Sequence, residues 1–425
     1  MNKDTFCILP WIHTYMFANG EVSACCEQQT KLGSYTGDLQ STMNLTEYKD
    51  LRKQLYKGVK ASSCSSCWNR EQKQFPSMRT EINDYYKEII NTEFVNELTD
   101  LDDFSLNDNF RLKYLDVRSS NLCNYKCRFC GLSLSSGWYQ YFKQDEKNEI
   151  VEKLKKYDNF DEKTGVITFD ISLLRLEKHI PHIKLVNLAG GEPVMMPGTY
   201  MLLEEFIKQN RKDTEWNVVS NTSRLSYGKK NIIDLLSFFD KWKWSMSIDA
   251  VGDAHTYLRS DADDWNVVYE NSKTLIEFLK SNPYSEETGK GMELSVHSSV
   301  SWFSLYRYYD VWQLYHDQGL KNIKTNIVQW PEYMSIDILP LTDLHKAYKF
   351  YMNKWQEHKE HRLGFHLREL ADYIKQCIDK PTSPLVKKQR WRDMIAREVK
   401  KNDRQRNRSL FDTFPEWKHL QDYFG

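Results

Sequence analysis

The sequence has no excess of charge of either sign. Of its 425 residues, 59 are lysine or arginine and 59 are aspartate or glutamate. That balance argues against a generic nucleic-acid binder and against a polybasic membrane protein; neither a membrane nor a nucleic acid is an expected partner. No apolar run approaches the roughly twenty residues that a membrane span needs. The opening stretch, Met1–Cys7, has no apolar signal region, and the expectation is a soluble, cytoplasmic chain. There is no internal repeat and no low-complexity tract. The nine cysteines are odd in number and come without a secretion signal. This argues against a disulfide framework and for metal or cluster ligation in a reducing compartment. The length allows two or three domains and a sizeable core.

What is present centres on Asn121–Gly131, which holds Cys123, Cys127 and Cys130 in a C-x3-C-x2-C spacing. The preceding Lys113–Ser119 is rich in strand formers, so the cysteines sit in a loop after a strand. Three thiolates on a short loop can hold three corners of a cube-shaped iron–sulfur cluster, leaving a fourth iron without a protein ligand. The bacterial ferredoxin run has a different spacing and a fourth cysteine. Zinc sites usually pair two C-x2-C units or add histidines. Neither pattern fits.

This stretch resembles the cluster motif of the radical S-adenosylmethionine superfamily, with Phe129 as the aromatic residue before the last cysteine. The resemblance implies a [4Fe–4S] cluster on Cys123, Cys127 and Cys130. Its open iron would chelate S-adenosyl-L-methionine and cleave it reductively to a 5′-deoxyadenosyl radical. Downstream, Gly190-Gly191-Glu192-Pro193 matches the family motif that holds the S-adenosylmethionine amino group. Two glycines there allow close backbone approach. By the same resemblance Ser220 and Asn221 lie at the barrel mouth, and Ser247 or Asp249 contacts the ribose. Arg259, in a His-x3-Arg segment, pairs with the methionine carboxylate, since a guanidinium can do so bidentately.

The N-terminal part has its own cysteines. Pro10–Phe17 and Glu21–Cys25 read as two strands joined by Ala18-Asn19-Gly20, a hairpin signal. Cys25 and Cys26 are adjacent on a strand and point to opposite faces. Asn44-Leu-Thr-Glu47 reads as a capped helix start that carries Tyr48, Leu51 and Leu55 inward and ends near Gly58. Cys64-Ser-Ser-Cys67 follows. Together these resemble the auxiliary-cluster half-motif of SPASM and twitch domains, placed here ahead of the core. The resemblance implies that Cys7, Cys25, Cys64 and Cys67 ligate a second [4Fe–4S] cluster. Cys26 in place of Cys25, and zinc in place of iron, stay open.

The order of elements gives four expected regions: an auxiliary domain over 1–95, a polar linker over 96–112, a core over 113–335 and a helical region over 336–425. Strands near 182–188, 216–219, 244–248, 292–296 and 322–328 follow the first. Helical segments near 200–210, 230–239, 266–280 and 304–318 separate the later ones. Such alternation implies a parallel sheet with right-handed crossovers, and six units make a partial (β/α)6 TIM-like barrel with its site at the strand C-terminal ends. His297, with Ser295 and Ser299 on its face, is an acid–base candidate beside the plainer reading of a hydrogen-bonded structural histidine. Trp302 and Trp330 either wall the site or pack the core. Lys387–Arg408 carries ten basic and three acidic residues, which suits an acidic or phosphate-bearing partner or a solvated helix. Cys377 reads as a packed thiol.

The expected activity is hydrogen abstraction from a peptide or protein substrate for oxidative or cross-linking modification, with a flavodoxin or ferredoxin as reductant. A sugar, nucleotide or aminoglycoside-like substrate is the alternative. A non-catalytic zinc-binding interaction module is the alternative of another class.

Overall fold

The computed structural model describes residues 1–28, 30–72, 76–157, 159–260 and 264–421. The fold is mixed α/β, with a principal sheet of nine strands and a helical C-terminal region, consistent with the expected partial barrel. The chain forms two compact units, one of Met1–Leu122, Lys147–Val218 and Tyr227–Trp242, the other of Cys123–Glu146, Val219–Ser226 and Lys243–Gly425.

In the first unit, β1 (His13–Met16), β2 (Glu21–Ser23) and β3 (Gly33–Ser34) form an antiparallel meander. Gly20 turns the hairpin at φ +81°, a left-handed conformation that suits glycine. The expected first strand starts later than its sequence suggests. Leu9–Ile12 is a helical turn with Pro10 in its first positions, where the missing N–H costs nothing. Helix α1 (Thr46–Lys57) buries Tyr48, Leu51 and Leu55 and ends at Gly58, as expected. Its start differs. Leu45 occupies the cap without a side-chain bond, because Asn44 instead accepts the Leu106 N–H at 2.6 Å and an Arg52 N–H at 3.1 Å. Helix α2 (Ser65–Gln72) carries Cys67.

Residues 96–110 are packed chain and not a loose linker. Helix Thr92–Leu98 runs into a two-stranded ribbon, Thr99–Asp100 against Ser105–Leu106. Phe104, Leu106 and Phe110 are buried among the aspartates that suggested a linker. Next come β4 (Tyr114–Val117), β5 (Leu185–Leu188), α3 (Pro197–Lys208) and β6 (Glu215–Ser220). β1, β4, β5 and β6 are parallel neighbours, with Tyr15, Asp116, Asn187 and Asn217 in register across all four. The N-terminal hairpin therefore extends the sheet of the core strands.

The second unit contains β7 (Lys241–Ser247), α4 (Gly252–Arg259), α5 (Trp265–Ser281), β8 (Gly291–Val300), α6 (Arg307–Asp317) and β9 (Ile323–Ile327). β8 and β9 pair in parallel. β8 alternates buried and half-buried residues along its length, the period-two pattern of a strand with one covered face. Helices α7 (Leu341–His358), α8 (Gly364–Asp379) and α9 (Pro384–Asp393) follow, then a π-helical turn over Met394–Val399 and α10 (Lys400–Arg406). Tryptophans seat these charged helices. Trp391 lies 4.7 Å and Trp417 5.6 Å from the fully buried Trp302. Trp302 is thus core, while Trp330 is 76% exposed.

Candidate cluster and cofactor sites

The loop of Cys123, Cys127 and Cys130 is held by its own backbone and by α4. The Cys130 N–H donates to the Cys127 carbonyl at 2.9 Å, closing a turn. The Lys126 and Arg128 N–H groups donate to the carbonyls of Arg259 and Leu258 at 3.1 and 2.9 Å. The loop is therefore laid along the end of a helix and does not hang in solvent. The Tyr125 N–H lies 3.4 Å from the Cys123 sulfur, and the Asn221 amide 4.0 Å from it. Asn221 also donates to Asn124 at 3.0 Å. Ser220 is used locally, its hydroxyl accepting the Thr222 N–H at 2.9 Å.

Asp249 and Arg259 come together beside this loop. The Arg259 Nε and Nη2 contact the two Asp249 oxygens at 2.6 and 3.2 Å, and Asp249 also accepts the Ser299 N–H at 2.6 Å. Nη1 lies 4.0 Å from the Cys127 sulfur, and the guanidinium carbon 5.6 Å from the centre of the Phe129 ring. Burial works against the charge of Arg259, but the Asp249 carboxylate together with the Cys127 and Cys130 sulfurs outweighs it and holds the guanidinium above its usual range. The Arg259 fork is engaged with Asp249 through Nε and Nη2. Asp249, fully buried, accepts from Arg259 and from the Ser299 N–H. The cause is desolvation: a buried carboxylate needs a partner. Ser247 is half-buried on the face that also carries Ser245.

The Cys127 and Cys130 thiols share a hydrogen bond. It draws Cys127 below the ordinary thiol range, helped by Arg259, and pushes Cys130 well above it. Beside Cys130 opens a groove of about 880 Å³, walled by Phe129–Leu134, Trp330–Tyr333 and the helical stretch from Arg390 to Gln405.

In the first unit, Gly190–Pro193 is knitted to the strand end that leads into the cysteines. The Gly191 N–H donates to the Ser120 carbonyl at 3.0 Å, and the Glu192 N–H to the carbonyl of Leu122, the residue before Cys123, at 2.8 Å. A Cβ on Gly191 would stand 2.2 Å from the Leu122 oxygen, so only glycine permits this approach. Gly190 has φ +116°. Glu192 is fully buried and caps the turn Pro193–Met195 by accepting the Val194 N–H at 3.2 Å.

Cys7, Cys25, Cys64 and Cys67 line one small cavity of about 20 Å³, walled also by Leu9, Leu55, Trp68 and Met78. Cys26 is exposed, with Asp116 and Arg118 as its charged neighbours. Both cysteines lie in the bend after β2, and not on the strand as expected. Burial pushes the Cys7 thiol up to about 12 and the Cys64 thiol up to about 11. Arg79, held by Glu71 at 2.5 and 2.9 Å, is the cation beside this group. Among the described residues, no three His, Cys, Asp or Glu side chains stand close enough to hold a single metal ion.

His297 is buried at Nε2, with no hydrogen-bond partner for that atom among the described residues, and burial lowers its pKa to about 4. The sequence reading missed Arg128 and Asp403. They form a part-buried ion pair at 2.8 Å, with the Arg128 guanidinium 3.6 Å over the Tyr257 ring. The signal was present as an arginine inside the cysteine motif and an aspartate inside a basic run.

No family model and no curated protein matches the sequence. Among solved structures, one match is SuiB of Streptococcus suis bound to S-adenosylmethionine, at 14% identity and a TM-score of 0.34, over 66% of this chain and 60% of that one. Another is anSMEcpe with bound AdoMet and the Cp18Cys peptide, at 13% and 0.32, over 58% of this chain and 60% of that one. TYW1 with a lysine-pyruvate adduct matches at 16% and 0.29, over 56% of this chain and 70% of that one. The chain spans about three fifths of the length of the SuiB and anSMEcpe structures. A likeness at this level is one of partial backbone course and says nothing of activity.

Proposed function

We propose that the chain is a radical S-adenosylmethionine enzyme acting on a peptide or protein. The observation that carries the reading is the backbone tie between two sequence motifs about seventy residues apart. The Gly-Gly-Glu-Pro turn donates to Ser120 and Leu122 on the segment that delivers Cys123, at an approach that only glycine allows. Cys123, Cys127 and Cys130 would ligate three irons of a [4Fe–4S] cluster, with Gly190–Pro193 taking the amino group of S-adenosylmethionine. When bound, these groups supply the electron and the 5′-deoxyadenosyl radical that takes a hydrogen atom from substrate.

The chain's own part is to hold and shield. Asp249 and Arg259 fix the end of α4, whose carbonyls hold the cysteine loop, and Arg259 places positive charge beside the Cys127 sulfur. Asn221 points its amide at the Cys123 sulfur, and hydrogen bonds to cluster sulfurs tune reduction potential. Cys7, Cys25, Cys64 and Cys67 would close a second, auxiliary [4Fe–4S] cluster, walled by Leu9, Leu55, Trp68 and Met78 together with Glu27, Gln28 and Arg79. On this reading 1–95 is the auxiliary region, 96–112 the connection, 113–335 the radical core and 336–425 its helical extension. The protein acts in the cytoplasm and draws electrons from a flavodoxin or ferredoxin.

A small-molecule substrate is the second reading for the open groove. Zinc held by the N-terminal thiols is the alternative to the second cluster. The test is iron, sulfide and zinc per chain after oxygen-free reconstitution, with 5′-deoxyadenosine release under a chemical reductant. About eight irons with matching sulfide, and release of 5′-deoxyadenosine, support the reading. Zinc alone, with no iron taken up, refutes it.

A further inference from the structure

Arg128 stands inside the cysteine motif, between Cys127 and Cys130, and its charge is permanent. A guanidinium taken out of water needs a partner. A fixed positive charge near an iron–sulfur cluster also favours the form with one electron more, so it raises the reduction potential. The fold answers both with a carboxylate from α10. Arg128 Nη2 donates to Asp403 Oδ1 at 2.8 Å, and the two side chains are 3% and 14% exposed. The same oxygen accepts the Tyr257 hydroxyl at 2.9 Å, and the other accepts the Leu410 N–H at 2.8 Å.

Helix α4 holds Arg128 as well. Nε donates to the Tyr257 carbonyl at 2.8 Å, the backbone N–H donates to the Leu258 carbonyl at 2.9 Å, and the guanidinium carbon lies 3.6 Å over the Tyr257 ring. Three residues further along α10, Arg406 donates to the Lys126 carbonyl at 2.7 Å. The loop, α4 and α10 thus close a ring of contacts around Arg128. What α4 offers is neutral: two carbonyl oxygens and an aromatic face. Asp403 is the carboxylate within ion-pair distance of Arg128 among the described residues. It adds the one thing α4 lacks, a compensating charge, and water screens a pair this dry only weakly.

We infer that Asp403 is a positioning residue of the three-cysteine loop: it fixes Arg128, cancels its charge, and so keeps the reduction potential of the loop's cluster low. The inference rests on the reading of that loop as a cluster loop. It makes the helical C-terminal region part of the site. A cluster that must hand an electron to S-adenosylmethionine does so more readily the lower its potential. With a neutral residue at 403, the Arg128 charge acts on the cluster uncompensated and holds the electron on the irons.

The test is a redox titration of the reconstituted full-length chain, followed by electron paramagnetic resonance. It is run in a Cys64→Ala/Cys67→Ala parent, so that the loop cluster alone is read. Asp403→Asn should raise the midpoint potential, by about tenfold in the reduction equilibrium, or about 59 mV for one electron. Asp403→Glu, which keeps the charge, should stay near the parent. Arg128→Gln should shift the potential the other way. Arg128→Gln combined with Asp403→Asn should return it to near the parent value, because the pair is then removed as a unit and the two effects do not add. If Asp403→Asn takes up no iron, the combined variant decides: iron uptake at the parent potential supports the inference, and no uptake overturns it. A parent-like potential in Asp403→Asn overturns it, as does a shift that the combined variant fails to reverse; either leaves the enzyme reading intact. No iron taken up by the parent or by wild-type protein overturns the enzyme reading and the inference with it.

Discussion

The two groups of cysteines follow opposite plans. Cys123, Cys127 and Cys130 come from one loop of eight residues, and of the three Cys130 lines a groove of about 880 Å³. Cys7, Cys25, Cys64 and Cys67 come from three separate segments, number four, and enclose about 20 Å³. Burial raises the N-terminal thiols together. In the loop, the Cys127–Cys130 hydrogen bond splits the pair. An open three-ligand site suits a group that must bind and turn over a cofactor. A closed four-ligand site suits structure or electron storage. Number, origin and enclosure together separate the two roles more clearly than cysteine spacing does.

The largest expected effect comes from breaking the open site. Cys127→Ala should lower 5′-deoxyadenosine release by about a thousandfold or more, to background, because the cluster loses a corner beside the reacting cofactor. The matched change at the closed site, Cys64→Ala, should remove roughly four irons and leave reductive cleavage within about tenfold of wild type. Equal losses from both would erase the distinction. Asp249→Asn should destabilise the second unit by about 3–5 kcal/mol, since it leaves the Arg259 charge buried without its partner; denaturant unfolding of the cluster-free protein measures this. Gly191→Ala should cost about 1–3 kcal/mol, or displace the loop, because the new Cβ overlaps the Leu122 carbonyl. Its S-adenosylmethionine affinity, read by equilibrium dialysis, should fall while iron content holds.

The smallest effect concerns acid. His13 is buried against Tyr114, at a ring distance of 4.1 Å, and burial lowers its pKa to about 4. The unfolded chain binds that proton near 6.5, so stability is present above about pH 6.5 and is lost as pH falls toward 4, by on the order of 3 kcal/mol. His13→Gln should make that limb shallower in cluster-free protein, the rest coming from His179, His255 and His297, whose pKa values burial also lowers.

Much of this was legible in the sequence because local pattern and tertiary structure agreed. The six strands from 114 onward and the helices between them follow apolar periodicity and turn residues, and β8 alternates along its whole length. The Gly-Gly-Glu-Pro turn was legible because its glycines have a steric cause. What escaped were pairings across long separations. Asn44 left its capping role for Leu106, 62 residues on. The aspartates of 96–110 hid Phe104 and Phe110, which bury. Arg128 found Asp403, 275 residues away. Each of these is a buried polar or apolar group meeting a partner that no local window contains.

The central claim is that the three-cysteine loop holds a cluster with an open iron. The direct measurement is electron paramagnetic resonance of the reduced Cys64→Ala/Cys67→Ala protein, with and without S-adenosylmethionine. The account predicts a single four-iron signal whose g values move when S-adenosylmethionine is added. A signal that does not move, or no signal at all from protein that retains iron, would contradict it.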